Sequence, residues 1–506
     1  MRIVTGLAAS GKTSMLLREI AEKAEANRGR QILLVPELNS HQMERRLAAA
    51  THNHGARTAE VLTFSRLADR VFAVVGGLAQ QMLTPAGQLL TLQEAARRVQ
   101  VGLTAWSGLA DKPELLSETL ALIDECKSCM IEPEMLFRAS EESALDEDVA
   151  LSAKLCDLAQ ILTQYDSLCE ETLPDPRDRL THLRDGLAGS HVLDGAEVYL
   201  DGFLSYTPQE LAIIEVMLSS GVPLTAAVTC DVELPDVFVT GCRTLRTLTR
   251  MAERCSRSPE LVDLGAGKMP RPAGLAAVAN EALLPVRQAH EDASGVRLYE
   301  AASPFDECEH AAAYIRRKVR DEGAHFRDFV IAARDIGPYS ASLAMAMGRY
   351  DIPMFLADKP DLLSRPPMAL VIGALESVRS NFGCRELFGC LKTGLTGLAW
   401  DEIDRLENYA ITWKIHGAAW ERDWVEHPDG YGIPVDEAAQ AQLDELNELR
   451  ARTIAPFAAL RERLKGEQSS AECVRALYDF LLAVDAPRRM RSEEHTSELQ
   501  SRFDLV

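Results

Sequence analysis

Gly6-Leu7-Ala8-Ala9-Ser10-Gly11-Lys12-Thr13 follows a short apolar run, residues 2–5, at the start of the chain. This segment fits the P-loop pattern G-x-x-x-x-G-K-[ST], whose glycines let backbone N–H groups turn toward phosphate oxygens. The residues after it carry apolar side chains at helical spacing, so the loop leads into a helix N-terminus. We expect residues 6–13 to bind ATP, with Lys12 on the β- and γ-phosphates and the Thr13 hydroxyl on Mg²⁺.

Further apolar runs predict buried strands after the P-loop helix. They cover residues 31–35, 60–64, 197–201 and 223–229. Strands and helices that alternate in this way indicate a parallel α/β sheet. Between about residues 78 and 187 helical patterns dominate, which predicts a helical insertion. We expect residues 1–285 to form this first domain.

A second α/β rhythm follows in residues 290–490. Its pattern predicts a strand at 296–300, a helix at 307–322 and a strand at 328–333. From about residue 366 the pattern is again helical, so this second domain is expected to be incomplete and to carry its own helical insertion. Residues 491–506 resemble the translation of a sequencing-library adapter and are expected to be foreign; the alternative is a polar natural terminus.

Asp201 is the candidate for a second Mg²⁺ ligand. It ends the apolar run at 197–201, and P-loop NTPases hold Mg²⁺ with an acidic residue at the end of a neighbouring strand. Many helicases place a glutamate next, but here the next residue is Gly202. Glu210 is a substitute that the spacing does not require. The alternative is that Asp201 only begins an Asp-Gly turn, and no catalytic base is assigned.

The charge balance excludes a protein that is basic over its whole surface. The formal net charge is −22 and the pI is about 5.0. A basic stripe is nevertheless predicted on one helix face, formed by Arg243, Arg246, Arg250, Arg254 and Arg257. These arginines are candidates for DNA or partner contact, since each neutralised phosphate adds affinity. The alternatives are a solvated face or pairing with acids of a neighbouring helix.

The compartment is predicted from what the sequence lacks. The apolar stretches are too short to span a bilayer, and no signal peptide precedes the P-loop. The eleven cysteines are scattered and odd in number, which is typical of reduced cytosolic thiols. We expect a cytoplasmic protein without membrane contact.

Several phrases of the sequence resemble the B subunit of the AddAB-type ATP-dependent helicase/deoxyribonuclease. They include residues 33–37 (LLVPE), 63–68 (TFSRLA), 201–203 (DGF), 207–210 (TPQE), 350–353 (YDIP) and 391–395 (LKTGL). The resemblance runs in order over nearly all of residues 1–490. The P-loop occurs in many protein families, whereas these other phrases are specific to this one.

The resemblance implies P-loop domains of the RecA-like, helicase type, with large helical insertions. It also implies an ATP-binding subunit that pairs with a larger A subunit, binds DNA and processes double-strand breaks for recombination. The family's nuclease domain and four-cysteine iron–sulfur cluster lie toward its C-terminus, so their residues are expected outside this chain. Two other hypotheses remain open: a non-hydrolysing scaffold or DNA-recognition subunit with a vestigial P-loop, and an unrelated P-loop NTPase.

Overall fold

A computed structural model of the chain describes residues 1–52, 58–265, 271–281, 289–356, 362–363, 365–466 and 468–490. The predicted foreign tail, residues 491–506, lies outside the described residues. Two compact units divide the chain, Met1–Leu298 and Tyr299–Val506.

The first unit is built on a six-stranded parallel sheet. Its strands are β1 (Arg2–Gly6), β2 (Arg30–Leu34), β3 (Ala59–Leu62), β4 (Ala196–Leu200), β5 (Leu224–Thr229) and β6 (Glu260–Asp263). Their order across the sheet is β3-β2-β4-β5-β1-β6, and every neighbouring pair is parallel. This confirms the predicted α/β class. The sequence patterns do not predict β6, and they extend the third strand to Phe64, where a helix already begins.

The described part of the first unit also contains helices, and several of them cover the two faces of the sheet. In chain order they are α1 (Lys12–Glu25), α2 (Ser40–Ala50), α3 (Phe64–Val75), α4 (Pro85–Val99), α5 (Pro113–Ser128), α6 (Pro133–Leu145), α7 (Val149–Glu171), α8 (Arg179–Ala188), α9 (Pro208–Ser219), α10 (Val239–Arg254) and α11 (Ala273–Glu281).

The central strands are apolar along most of their length because both faces of the sheet are buried. Successive residues point to opposite faces, so Ile32 and Leu33 enter different cores. Ile32 packs in the larger core with α3, α8, α9 and α10. Leu33 packs in the smaller core with α1 and α2. The result is a three-layer α/β/α unit whose carboxyl strand ends share one edge.

The helices α4 to α7 form an insertion with a core of its own. The buried Asp157 of α7 organises one of its loops by accepting backbone N–H bonds from Thr104, Ala105 and Trp106 at 2.7–3.1 Å. The two ends of the insertion meet, since the Leu83 N–H donates to the Pro174 carbonyl oxygen at 3.0 Å. The insertion therefore leaves and rejoins the sheet unit at one place.

The second unit is helical in its described residues. Its helices are α12 (Pro304–Glu322), α13 (Ser340–Arg349), α14 (Pro366–Arg379), α15 (Cys384–Leu391), α16 (Trp400–Thr412), α17 (Glu437–Arg463), α18 (Ser470–Ala483) and α19 (Ala486–Arg489). One small core lies between α12 and α13. A larger core joins the helices from α14 onward around the fully buried Trp420.

The two strands predicted around α12 are wrong. Residues 296–300 and 328–333 pair with no strand in the described part of the chain. Apolar side chains of both segments also face solvent, since Leu298 is 99% exposed and Val330 is 91% exposed. An apolar run becomes a strand only when a neighbour accepts its backbone hydrogen bonds. The helix predicted between them is confirmed as α12.

None of the helices in the described ranges is both long and apolar enough to cross a membrane.

Candidate functional site

The P-loop connects the end of β1 to the start of α1, at the edge of the sheet where the strands end. Gly11 takes a left-handed conformation, with φ at 95°, directly before α1 begins at Lys12. The loop is closed by a hydrogen bond from the Ser10 N–H to the Leu7 carbonyl oxygen at 3.1 Å. The free N–H groups of the first helical turn and the helix dipole therefore face the loop, as an anion site requires.

Lys12 is buried and bends back over the loop. Its Nζ donates to the carbonyl oxygens of Gly6 and Leu7, both at 2.8 Å. Burial lowers the pKa of Lys12, and the nearby charge of Asp201 acts in the opposite direction. The ammonium group thus lies at the loop, where a phosphate chain would need a cation.

Asp201 meets the P-loop from a different strand. It follows β4, which β5 separates from β1, and it is only 4% exposed. Burial raises the pKa of Asp201, and the hydrogen-bond donors of the Thr13 side chain and the Gly202 N–H oppose that rise. The two residues predicted as Mg²⁺ ligands therefore lie beside each other on the wall of one cavity.

The Oδ2 atom of Asp201 is buried without a hydrogen-bond partner among the described residues. A buried carboxylate oxygen that lacks a donor is costly unless a cation or a water satisfies it. No group of three His, Cys, Asp or Glu side chains that could hold a metal occurs in the described ranges. Mg²⁺ at a nucleotide site needs fewer, because one carboxylate, phosphate oxygens and waters complete its octahedron. The Thr13–Asp201 pair fits that requirement.

These groups line one cavity of about 430 Å³. Its walls include residues 8–14 of the P-loop and α1, Asp201 and the three residues after it, and Thr229 at the end of β5. Arg46 of α2 also lines it. The sequence patterns do not single out Arg46, since no motif surrounds it and only the packing of α2 beside the P-loop reveals its position.

No acid replaces the glutamate that many helicases carry after this aspartate. Gly202 has φ at 83°, and an added Cβ would lie 3.1 Å from Asn39 Nδ2 and 3.3 Å from Pro36 Cδ. Any other residue would therefore be strained here. Glu210 is engaged elsewhere, because it forms a capping box with Thr207 at the start of α9. The hypothesis that Glu210 substitutes as the base finds no support in this geometry.

The predicted arginine stripe lies on the exposed side of α10. The opposite side of the helix carries buried residues of the sheet core, including Leu248. Arg254 pairs with Glu215 of α9 at 3.3 Å, which matches the alternative of pairing with a neighbouring helix. For Arg243 and Arg250, no ion pair occurs with any described residue.

The stripe is shorter than the sequence pattern predicts. The pattern includes Arg257 on the same helix face, but α10 ends at Arg254, so Arg257 lies beyond the helix. Its Nε donates to the carbonyl oxygen of Leu218 at 3.3 Å. Arg246 remains on α10, where its Nε donates to the Cys242 carbonyl oxygen at 3.2 Å. None of the stripe arginines lines the P-loop cavity.

Comparison with known proteins identifies the family. The family model described as "ADDB, N-terminal" matches residues 3–268. Several relatives are named as the B subunit of an ATP-dependent helicase/deoxyribonuclease. That of Acetivibrio thermocellus is 30% identical over 97% of this chain and 44% of its own length. The Symbiobacterium thermophilum protein is 31% identical over 100% of this chain and 46% of its own length. The chain thus spans less than half the length of these relatives. It belongs to the AddB family.

Proposed function

We propose that this chain is the N-terminal, helicase-like part of an ATP-binding subunit in a helicase/exonuclease complex that processes DNA double-strand breaks for recombinational repair. One observation carries the nucleotide-binding part of the proposal. Thr13 and Asp201 are far apart in sequence, yet both line the cavity beside the P-loop, and one buried carboxylate oxygen of Asp201 has no hydrogen-bond partner among the described residues. A turn alone gives no reason to bury an unsatisfied oxygen at this position.

In this proposal residues 6–13 hold the phosphates of ATP. The backbone N–H groups of the loop and of the first turn of α1 donate to phosphate oxygens. Lys12 balances the charge of the β- and γ-phosphates, and Thr13 and Asp201 hold Mg²⁺. Bound Mg²⁺ would neutralise charge on the phosphate oxygens. The proposal includes binding but not hydrolysis, because no described residue stands in the place of the activating base.

Partners are proposed from the names of the relatives. A protein named as the B subunit of a helicase/deoxyribonuclease acts on DNA together with at least one other chain, so we propose a heterodimer with a larger A subunit. DNA is the proposed substrate of that heterodimer. The nuclease domain and the iron–sulfur cluster are proposed for the part of the relatives that this chain does not cover. We also propose a cytoplasmic location, where chromosomal DNA of a bacterium lies.

We propose Arg243 and Arg250 as contacts to DNA phosphates, because both are exposed and neither has an ion pair among the described residues. The contribution of Arg246 and Arg254 is smaller, since each already donates to a neighbouring oxygen. An Arg250→Ala variant should weaken binding of a DNA duplex and lower the salt slope of the binding constant by about one. Arg97→Ala, an exposed arginine on α4, is the matched control. If the salt slope of Arg250→Ala is unchanged, Arg250 contacts no DNA phosphate and the arginine stripe is a solvated helix face.

The second candidate is a scaffold or DNA-recognition subunit whose P-loop is vestigial. Gly202 favours it, because the described site has no activating acid after Asp201 and strain opposes placing one there. Family membership leaves no support for an unrelated P-loop NTPase. The two remaining functions differ in a single property, which is whether the P-loop binds nucleotide.

The test is a titration of the purified protein with a fluorescent ATP analogue in the presence of Mg²⁺. We expect binding by the wild-type protein and a loss of at least about tenfold in Lys12→Ala, because the variant loses a charge-assisted contact to phosphate. Arg18→Ala is the control, since Arg18 is an exposed cation of the same helix outside the P-loop cavity. A vestigial loop predicts no binding, or equal binding by wild type and Lys12→Ala.

A further inference from the structure

Arg46 is a cation on the wall of the P-loop cavity that the proposed binding of phosphates and Mg²⁺ does not use. It belongs to α2, which packs on the same face of the sheet as α1. Among the described residues, the charged side chains that line the cavity are those of Lys12, Asp201 and Arg46. Lys12 comes from the loop itself, whereas Arg46 comes from a separate helix.

Arg46 is exposed and has no ion pair with any residue in the described ranges. The carboxylate closest in sequence, Glu44, is paired instead with Arg66 of α3. Within the described part of the chain, the Arg46 side chain makes one weak contact, from Nη1 to the Met43 sulfur at 3.9 Å. Most of its five N–H donors therefore remain available to a ligand.

Arg46 lies close enough to Asp201, the proposed Mg²⁺ ligand, for its charge to affect that carboxylate. It lowers the pKa of Asp201, against the larger effect of burial. A cation that lines the same cavity and acts on Asp201 would also act on a phosphate held beside Asp201. Arginine suits this role because its planar fork can give two parallel hydrogen bonds to one phosphate.

The phosphates of a bound nucleotide would have different neighbours in this arrangement. The loop backbone and Lys12 surround the phosphates nearest α1, as in any P-loop. A terminal phosphate held by Lys12 beside Thr13 and Asp201 would share the cavity with Arg46. A diphosphate lacks that group and would leave Arg46 without a phosphate partner.

We propose that Arg46 binds the terminal phosphate of the nucleotide and makes this site prefer a triphosphate over a diphosphate. The inference rests on the proposed nucleotide binding and adds the residue that would distinguish the two nucleotide states. It does not require hydrolysis at this site. A protein that binds ATP without cleaving it would in this way still respond to the ratio of ATP to ADP.

The experiment compares dissociation constants for Mg²⁺-ATP and Mg²⁺-ADP in wild type, Arg46→Ala, Arg46→Lys and Arg45→Ala. Arg45 is the matched control, an exposed arginine of the same helix that does not line the cavity. We expect Arg46→Ala to weaken ATP binding by about tenfold while ADP binding changes by less than about threefold. Arg46→Lys should lie between, because it keeps the charge but loses the fork. Arg45→Ala should resemble wild type.

Competition with inorganic tripolyphosphate and pyrophosphate provides a second readout that does not involve the base. In Arg46→Ala, tripolyphosphate should compete less well with the nucleotide than in wild type, whereas competition by pyrophosphate should change little. Equal losses for both probes, or no loss for either, would overturn the role of Arg46. If wild type binds neither nucleotide, the proposed function fails and this inference with it. If Lys12→Ala loses binding while Arg46→Ala does not, only the inference fails.

Discussion

Replacing Asp201 with asparagine should stabilise the protein while it weakens Mg²⁺-nucleotide binding. Asp201 is 4% exposed, and one of its carboxylate oxygens has no hydrogen-bond partner among the described residues. Leaving a buried polar atom unsatisfied costs about 1–3 kcal/mol, and more if it is charged. Asparagine keeps an acceptor for Thr13 and the Gly202 N–H but removes the charge. We expect a gain of about 1 kcal/mol, which corresponds to roughly 2 °C in Tm for a domain of this size.

The effect should depend on pH in a defined direction. Burial raises the pKa of Asp201 in the folded protein above its value in the unfolded chain. The folded state therefore binds this proton more tightly, so the stability of wild type rises as the pH falls through the folded pKa and levels off below the unfolded pKa. The Asp201→Asn variant has no carboxyl group at this position, so its stability does not change with this titration. The difference in Tm between the variant and wild type should narrow as the pH is lowered.

Thermal unfolding without Mg²⁺ and nucleotide measures the stability, and an ATP titration with Mg²⁺ measures the binding. Affinity in Asp201→Asn should fall by at least about tenfold, as expected for the loss of one charged contact. Asp263→Asn is the control, because Asp263 also ends a strand but lies outside the cavity. If Asp201→Asn lowers Tm and leaves Mg²⁺-nucleotide binding unchanged, Asp201 is a turn residue and the reasoning is refuted.

Three further substitutions test other parts of the structure. Gly202→Glu introduces the acid that many helicases carry after this aspartate. Because the backbone of residue 202 is left-handed, the substitution should lower the free energy of unfolding by about 1–3 kcal/mol. It should not add ATPase activity, which phosphate release measures. Asp157→Ala should lower the free energy of unfolding by about 3 kcal/mol or more, since backbone N–H groups lose their acceptor. The fluorescence of Trp106 in denaturant measures this change. A change below about 1 kcal/mol would contradict the role of Asp157 in holding the loop. Trp420→Ala should cost about 3–5 kcal/mol in the second unit, measured by circular dichroism in denaturant.

The first half of the site could be predicted because its signals are local. The P-loop, the strand before it and the helix after it lie within one short segment, and periodicity specifies each of them. The position of Asp201 after an apolar run predicts it as a partner of Thr13. Their proximity depends on the strand order, which brings the end of β4 to the cavity beside the P-loop.

The parts that could not be predicted depend on tertiary neighbours. β6 is short and largely exposed, so it has no apolar signal and exists only because β1 pairs with it. Residues 296–300 and 328–333 have the apolar signal but no described strand beside them. Arg46 gives no signal, since nothing near it in the sequence tells which way α2 faces.

The meeting of Leu83 and Pro174 has a consequence for how the sheet can form. β2 pairs with β4, and the chain between them contains β3 and the whole insertion of α4 to α7. Closing so long a loop carries an entropic cost that grows with its length. Because the insertion has its own core and its ends are hydrogen-bonded, it can fold first and remove most of the loop. A much shorter stretch of flexible chain would then separate β2 from β4 when they pair, so the insertion need not slow the assembly of the sheet.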